Sequence, residues 1–232
     1  MVSLWDQIKM IIKLWGRPTS ARTQKVFLAL AELGFEYELI LASGTMGAAG
    51  HVSKGNQPFG IVDTDDYLAM NPNGTIPTID IDGFVLWESN AIVQYLGMRF
   101  GPVEFYTDTA EVFGSACRWM LWENNELIGP MHNYVQHTIR FPVAQRDPEV
   151  VAQSRAALIA AWRIVDAQLG KTQYVAADTW TMGDIPMTIR VHRWFLLDVP
   201  APEFPNLQRY YEQVATRPSF QAIEDPEMHL AG

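Results

Sequence analysis

Asp82-Gly83 stands between two short apolar runs, residues 78–81 and 84–88, and this arrangement constrains the fold more than any other stretch of the chain. The tightest two-residue hairpin turns need positive φ at both central positions, and Asp-Gly tolerates both. The two runs are therefore predicted to be strands joined by a hairpin. Ser89 follows as a helix cap, and Asn90, Ile92, Val93, Tyr95 and Leu96 carry a helical pattern to about residue 100.

The stretch before the hairpin reads strand, helix, strand. Residues 11–15 form a short apolar strand. Residues 20–34 are helical, with Val26, Phe27, Leu30, Ala31 and Leu33 on one face and Gly34 as the stop. Residues 35–42 alternate as a strand. Short joints between such elements predict a parallel βαβ unit. A long Gly- and Ala-rich loop spans residues 43–60, a length often tied to function. A short helix then starts near Asp63 to Asp66, and the turn cluster "NPNG" ends it. The first hundred residues thus read βαβ, then α, then ββα. Beyond "GMRFGPVEFYTDT" the strand signals stop, and helices are predicted over about 110–136, 148–169, 184–197 and 206–216. That shift divides the chain into an α/β domain, residues 1–104, and an all-helical domain, residues 105–232.

A chain of 232 residues is long enough for both domains to bury a core. Its net charge of -9 argues against nucleic acid, because phosphate binding needs surplus Lys and Arg. An anionic small ligand would need local positive potential. Cys117 is the sole cysteine, which excludes an internal disulfide, argues against a thiolate metal cluster and fits a reducing cytoplasm, and no metal is expected. The opening "MVSLWDQIKMIIKLW" is interrupted by Asp6, Lys9 and Lys13, so it is not read as a signal peptide. No run approaches the roughly 20 apolar residues of a membrane span.

Three stretches, in order and at fitting distances, carry a family likeness. "NPNGTIPTIDIDGFVLWESNAIVQYL" resembles the glutathione-binding segment of the cytosolic glutathione S-transferases, in their bacterial, serine-type, theta-, delta- and beta-like forms. "TMGDIPM" resembles the capping-box motif of a buried helix in their second domain. "FPNLQRYYEQVATRPSF" resembles their closing helix. The resemblance covers about residues 12–220. It implies a thioredoxin-like βαβ-α-ββα domain followed by an all-helical one, with glutathione as co-substrate.

Glutathione offers two carboxylates, an amine and a thiol. Ser89, at a helix start, suits a carboxylate at the positive end of the helix dipole, and Glu88 suits the amine. The family's Pro at position 77 is cis, and the N–H and C=O of Ile76 would pair with the cysteinyl part like an added strand. A cysteinyl thiol has a pKa near 8.5, so an enzyme must stabilise its anion. The junction "WGRPTSARTQKV" offers hydroxyls for this purpose, where a strand passes into a helix. Ser20 occupies the position of the catalytic serine in theta- and delta-like members, and Thr19 is its neighbour. Arg22 stands where many bacterial relatives carry Asn. It supplies positive charge near the thiolate, pairs with a glutathione carboxylate, or faces solvent. A plain helix cap is the alternative role for Ser20. No Cys or Tyr lies near this turn, so mixed-disulfide and tyrosine mechanisms are not expected; Cys117 is read as packing.

His51 and Lys54 are candidates for the glycyl carboxylate, with Phe59 as a wall. The second substrate is expected to be a small hydrophobic electrophile between the domains, near Trp15, Trp119, Trp122 and Tyr134. Met131, His132 and Trp194 are further candidates. Thr181 and Asp184 fit a capping box, but Pro186 leaves the helix start open between them. A cytoplasmic location is expected, and a homodimer is implied by the resemblance alone. Peroxide reduction, aryl-ether cleavage, dehalogenation and a non-catalytic glutathione-binding carrier are the alternatives to conjugation.

Overall fold

The computed structural model describes residues 10–43, 61–106 and 109–230. The chain divides into two compact units, Met1–Gly101 and Pro102–Gly232.

In the first unit, strand β1 (Ile12–Gly16) is followed by helix α1 (Ala21–Glu32) and strand β2 (Glu38–Leu41). Helix α2 (Asp65–Met70), strands β3 (Thr78–Ile81) and β4 (Phe84–Trp87) and helix α3 (Ser89–Phe100) complete it. The four strands form one sheet in the order β2-β1-β3-β4. β1 pairs with β2 in parallel and with β3 antiparallel, and β3 pairs with β4 antiparallel. This is the expected βαβ-α-ββα layout. Asp82 and Gly83 adopt φ of 51° and 89°, as their hairpin requires.

Three local expectations shift. β2 is four residues long because only residues 38–41 pair with β1. Ser89 is the first helical residue of α3 rather than its cap, and no side chain caps that helix. α1 is predicted with one apolar face, yet every residue from Thr23 to Leu30 is buried, Gln24 and Lys25 among them. It packs against α3, and at its start Thr23 lies against Gly16 of β1, so a single apolar stripe does not describe its buried surface.

The regular secondary structure of the second unit's described residues is all helical. It contains α4 (Val103–Tyr106), α5 (Ala110–Trp122), α6 (Ile128–Val135), α7 (Pro148–Leu169), α8 (Asp184–Leu196), α9 (Pro205–Ala215) and α10 (Glu227–Leu230). The single helix predicted over 110–136 is split by a π-helical turn at Glu123–Leu127, and another, Gln136–Arg140, follows α6. Pro130 accounts for the first break. It has no N–H to give to the carbonyl of Glu126, so the regular ladder cannot run through this point. The wide turn leaves Glu123 wholly buried, where its carboxylate accepts from Arg190 Nε at 2.5 Å.

The start of α8 is at Asp184, which places Pro186 in the first turn, where its missing N–H is not needed. The Asp184 carboxylate accepts from the backbone N–H of Val175 and Thr181, each at 3.0 Å, and from the Thr181 hydroxyl at 3.2 Å. Complete burial nevertheless pushes its pKa up to about 6.

His192 of α8 meets His229 of α10 edge-on, with ring centroids 4.4 Å apart. Burial, helped by the nearby Arg193 charge, lowers His192 to about 4 and His229 to about 3. Both histidines are therefore neutral in the fold and take up protons more readily when unfolded. Their contribution to stability is complete above the unfolded pKa of about 6.5 and is lost as pH falls toward 4. Asp184, with its raised pKa, works in the opposite sense between about 4 and 6. The melting temperature is expected to fall from pH 6.5 to 4, with a shallower fall in His229→Gln and a steeper one in Asp184→Asn. Parallel melting curves for wild type and His229→Gln across that range would disprove the role of the histidine pair.

Candidate functional site

Strand register gathers the candidate residues at one end of the first unit's sheet. Trp15 of β1 lies opposite Thr78 of β3, and Thr78 lies opposite Trp87 of β4. The chain leaving β1 therefore runs beside the chain entering β3, and the chain leaving β4 lies on the other side of the chain entering β3. These segments are Gly16 to Ser20, Ile76-Pro77 and Glu88-Ser89. The Ile76-Pro77 bond is cis.

The junction after β1 is tightly held. The Gly16 carbonyl accepts from Ala42 N–H at 2.9 Å. Gly16 also sits so close to α1 that a Cβ there would lie 2.5 Å from the Thr23 methyl group. The Gln24 side chain donates to the Pro18 carbonyl at 2.8 Å, and Ser20 N–H donates to the Arg17 carbonyl at 3.1 Å. Ser20 caps α1, accepting from Thr23 N–H at 3.3 Å. This is a long bond, and it occupies only a lone pair of the hydroxyl oxygen. The Ser20 O–H itself has no acceptor among the described residues. Thr19 is 4% exposed and Ser20 is half-buried. Arg22 points to solvent, whereas Arg17 is 8% exposed.

Helix α3 begins on the other side of β3. Ile92 N–H reaching the Glu88 carbonyl at 2.9 Å is its first turn bond, and no side chain caps the amides ahead of it. An uncapped helix start exposes N–H donors and the positive end of the dipole, which together suit a carboxylate. Ser89 is 4% exposed, and its hydroxyl has no partner among the described residues. Glu88 has φ 71° and ψ 108°, a strained backbone for a residue with a side chain. Its carboxylate is exposed and likewise has no donor among the described residues.

Two buried polar connections hold these segments, and sequence reading missed both. Lys25 is wholly buried, and its ammonium donates to Asn90 Oδ1 at 3.1 Å, tying the helix behind Ser20 to the first turn of α3. In the sequence Lys25 closes the polar stretch from Arg22 to Lys25, which looks the same as a solvated face. The Asn71 amide donates to the Thr75 carbonyl at 2.8 Å and the Thr78 hydroxyl at 3.0 Å, while the Tyr67 hydroxyl contacts the same two groups at 2.7 and 2.9 Å. This network fixes the chain on both sides of Ile76-Pro77. "NPNG" signalled a turn but gave no sign that Asn71 is buried.

The remaining candidates lie elsewhere. Trp15 packs inside the first unit against Ala42, Val62, Tyr67 and Ile76. His51, Lys54 and Phe59 lie outside the described residues. In the second unit, Trp119 and Trp122 meet edge-on at 5.3 Å; Trp119 is 6% exposed, Tyr134 is 8% exposed and Trp122 is half-buried. Burial raises the Cys117 thiol pKa, which suits packing rather than nucleophilic chemistry. Trp194 walls a cleft at the end of α8. Among the described residues, no group of three or more His, Cys, Asp or Glu could hold a metal ion, and no helix is long and apolar enough to cross a membrane.

A family model described as "Glutathione S-transferase, N-terminal domain" matches residues 19–99. The glutathione S-transferase GstB of Escherichia coli strain K12 is 34% identical over 215 residues, covering 92% of this chain and 97% of the relative. The chain belongs to the glutathione S-transferase family. Glutathione S-transferase F13 of Arabidopsis thaliana is 28% identical over 225 residues, covering 92% of this chain and 95% of the relative. The theta class glutathione S-transferase of Xanthomonas axonopodis pv. citri, solved with glutathione bound, has a TM-score of 0.75 and 32% identity, over 95% of this chain and 97% of that one.

In this glutathione S-transferase, Lys25→Met would leave Asn90 Oδ1 without the ammonium donor. A loss of about 1–3 kcal/mol in unfolding free energy is expected, and much less than the sum of the single losses when Lys25→Met is combined with Asn90→Ala. Additive losses in urea titrations of the cycle would show that the two side chains are not coupled.

Proposed function

We propose that this glutathione transferase binds glutathione at the end of the first unit's sheet, stabilises its thiolate with the Ser20 hydroxyl, and joins the sulfur to an apolar electrophile. The observation that carries the reading is the state of Ser20. Its oxygen accepts from its own helix while its O–H has no acceptor among the described residues. One hydroxyl thus meets both needs, because a serine can accept and donate at once.

The other roles follow from the groups that glutathione carries. The uncapped start of α3, with Ser89, takes the γ-glutamyl carboxylate, and Glu88 takes the amine. The N–H and C=O of Ile76, ahead of Pro77, pair with the cysteinyl backbone. Lys54 and His51 meet the glycyl carboxylate, with Phe59 beside them, on grounds of charge and chain order alone. Thr19, nearly buried beside Ser20, is the alternative donor to sulfur. Arg22, exposed at the head of α1, adds positive potential that is screened by solvent. Trp15, packed on Ile76, braces the floor of the site rather than touching the electrophile. Trp119, Trp122 and Tyr134 are the aromatic surface for that second substrate. In the reaction the thiol loses its proton to solvent, the thiolate forms a bond to the electrophilic carbon, and an aryl halide releases halide.

A homodimer is supported by apolar side chains left open at the edge of the sheet and on α3, where Phe84 is 46% exposed and Met98 70%. The absence of a membrane-crossing helix among the described residues agrees with a cytoplasmic enzyme.

A hydrogen bond to a charged group contributes about 1.5–3 kcal/mol, so Ser20→Ala should lower kcat/KM for a chromogenic aryl halide on the order of tenfold to a hundredfold. The pKa seen in the pH-rate profile should move up toward that of free glutathione. Glu88→Gln should raise KM for glutathione with a smaller effect on kcat. An unchanged rate and profile in Ser20→Ala would transfer the role to Thr19, which Thr19→Val then tests.

A further inference from the structure

The second unit holds a cleft of about 520 Å³ at the end of α8 and the start of α9. Its size is that of a small-molecule site. Trp194, Phe195, Val199 and Phe204 supply apolar walls. Trp194 is 5% exposed and rests on Trp162 and Phe204, with ring centroids 5.7 and 6.4 Å away. Its indole N–H has no acceptor among the described residues. Phe195 is held by Tyr211, stacked at 4.7 Å.

The polar lining is one-sided. Asp198, Glu203 and Glu212 stand around the opening, with Arg209 as the one cation in the lining. Arg209 is already engaged. Its guanidinium donates to the Leu169 carbonyl at 2.7 Å, the Gln173 carbonyl at 3.3 Å and Gln213 Oε1 at 3.4 Å. Glu212 accepts from Gln208 at 2.8 Å. Asp198 and Glu203 have no side-chain donor among the described residues. The opening therefore carries two uncompensated carboxylates above an aromatic floor.

The loop that forms the cleft is held in place before any ligand arrives. Arg155 donates to the Pro200 carbonyl. Asp166 accepts from the backbone N–H of Asn206 and Leu207 at 2.8 and 2.9 Å. Pro200, Pro202 and Pro205 restrict the chain between these anchors. A pre-formed cavity loses little ordering entropy on binding.

We propose that this cleft is a second ligand site, separate from the glutathione site, which takes a hydrophobic aromatic cation. The aromatic walls meet the ligand's rings and attract its charge, and Asp198 and Glu203 pair with the cation at the opening. An aromatic anion of the same size meets the carboxylates instead and is repelled. The proposal does not depend on Ser20 or on any transferase activity.

The test uses tetraphenylphosphonium and its near-isosteric anion, tetraphenylborate, titrated calorimetrically into the full chain. The cation should bind at least tenfold more tightly than the anion. Asp198→Asn with Glu203→Gln should weaken the cation about tenfold, while Glu111→Gln, an exposed charge on α5, should not. Asn suits the left-handed backbone at Asp198, which has φ 44°, so the fold is preserved. Trp194→Phe provides an independent variant, expected to weaken binding severalfold and to remove part of the fluorescence quenching. Saturating S-hexylglutathione should leave binding intact. Equal affinity for the anion, displacement by S-hexylglutathione, or unchanged binding in the double variant would each overturn the proposal.

Discussion

Leu14 of β1 lies opposite Ile79 of β3, and both side chains are wholly buried. This antiparallel pairing aligns the site. A slip of one residue would put Leu14 and Ile79 on opposite faces of the sheet and would also shift the Ser20 turn by about 3.4 Å against Ile76-Pro77. The apolar core therefore fixes the register, and the register fixes which polar groups meet. The buried bonds from Gln24, Lys25, Asn71 and Tyr67 then hold the ends of those strands where the ladder itself stops.

Ser20 illustrates how folding and chemistry share an atom. A serine cap stabilises a helix by about 1 kcal/mol, and it does so through a lone pair. Stabilising a thiolate uses the proton instead. The two demands do not compete, so a residue that looks like ordinary helix punctuation need not give up that role to act on sulfur. The same economy operates at α3. There the absence of a side-chain cap leaves the helix start less well satisfied by the protein and more receptive to an anion.

Legibility in the sequence followed the range of the interactions. The Asp82-Gly83 hairpin, the parallel βαβ unit and the Ser20 cap depend on neighbouring residues, and each could be read locally. Pro130 sits visibly in the chain, but whether it kinks, ends or widens a helix depends on what Glu123 meets, and that is Arg190, sixty-seven residues away. Lys25 was missed for a similar reason. It lies in a run, Thr23 to Leu30, in which every residue is buried, which no single helical stripe reveals. Ser89 was assigned as a cap from its residue type, whereas the backbone of Glu88 lets the helix begin one residue sooner.

Glu88 is a place where two requirements of the chain disagree. Its φ of 71° belongs to the region that glycine adopts without strain, and glycine would be the relaxed choice for turning out of β4 into α3. A glycine, however, would carry no charge. The chain keeps a side chain where the backbone favours none, and that disagreement makes the position a poor target for stability engineering. A substitution that relaxes the turn would make a sturdier protein at the expense of a ligand group, so mutational tolerance measured by folding and by function should diverge more sharply here than at any neighbouring residue.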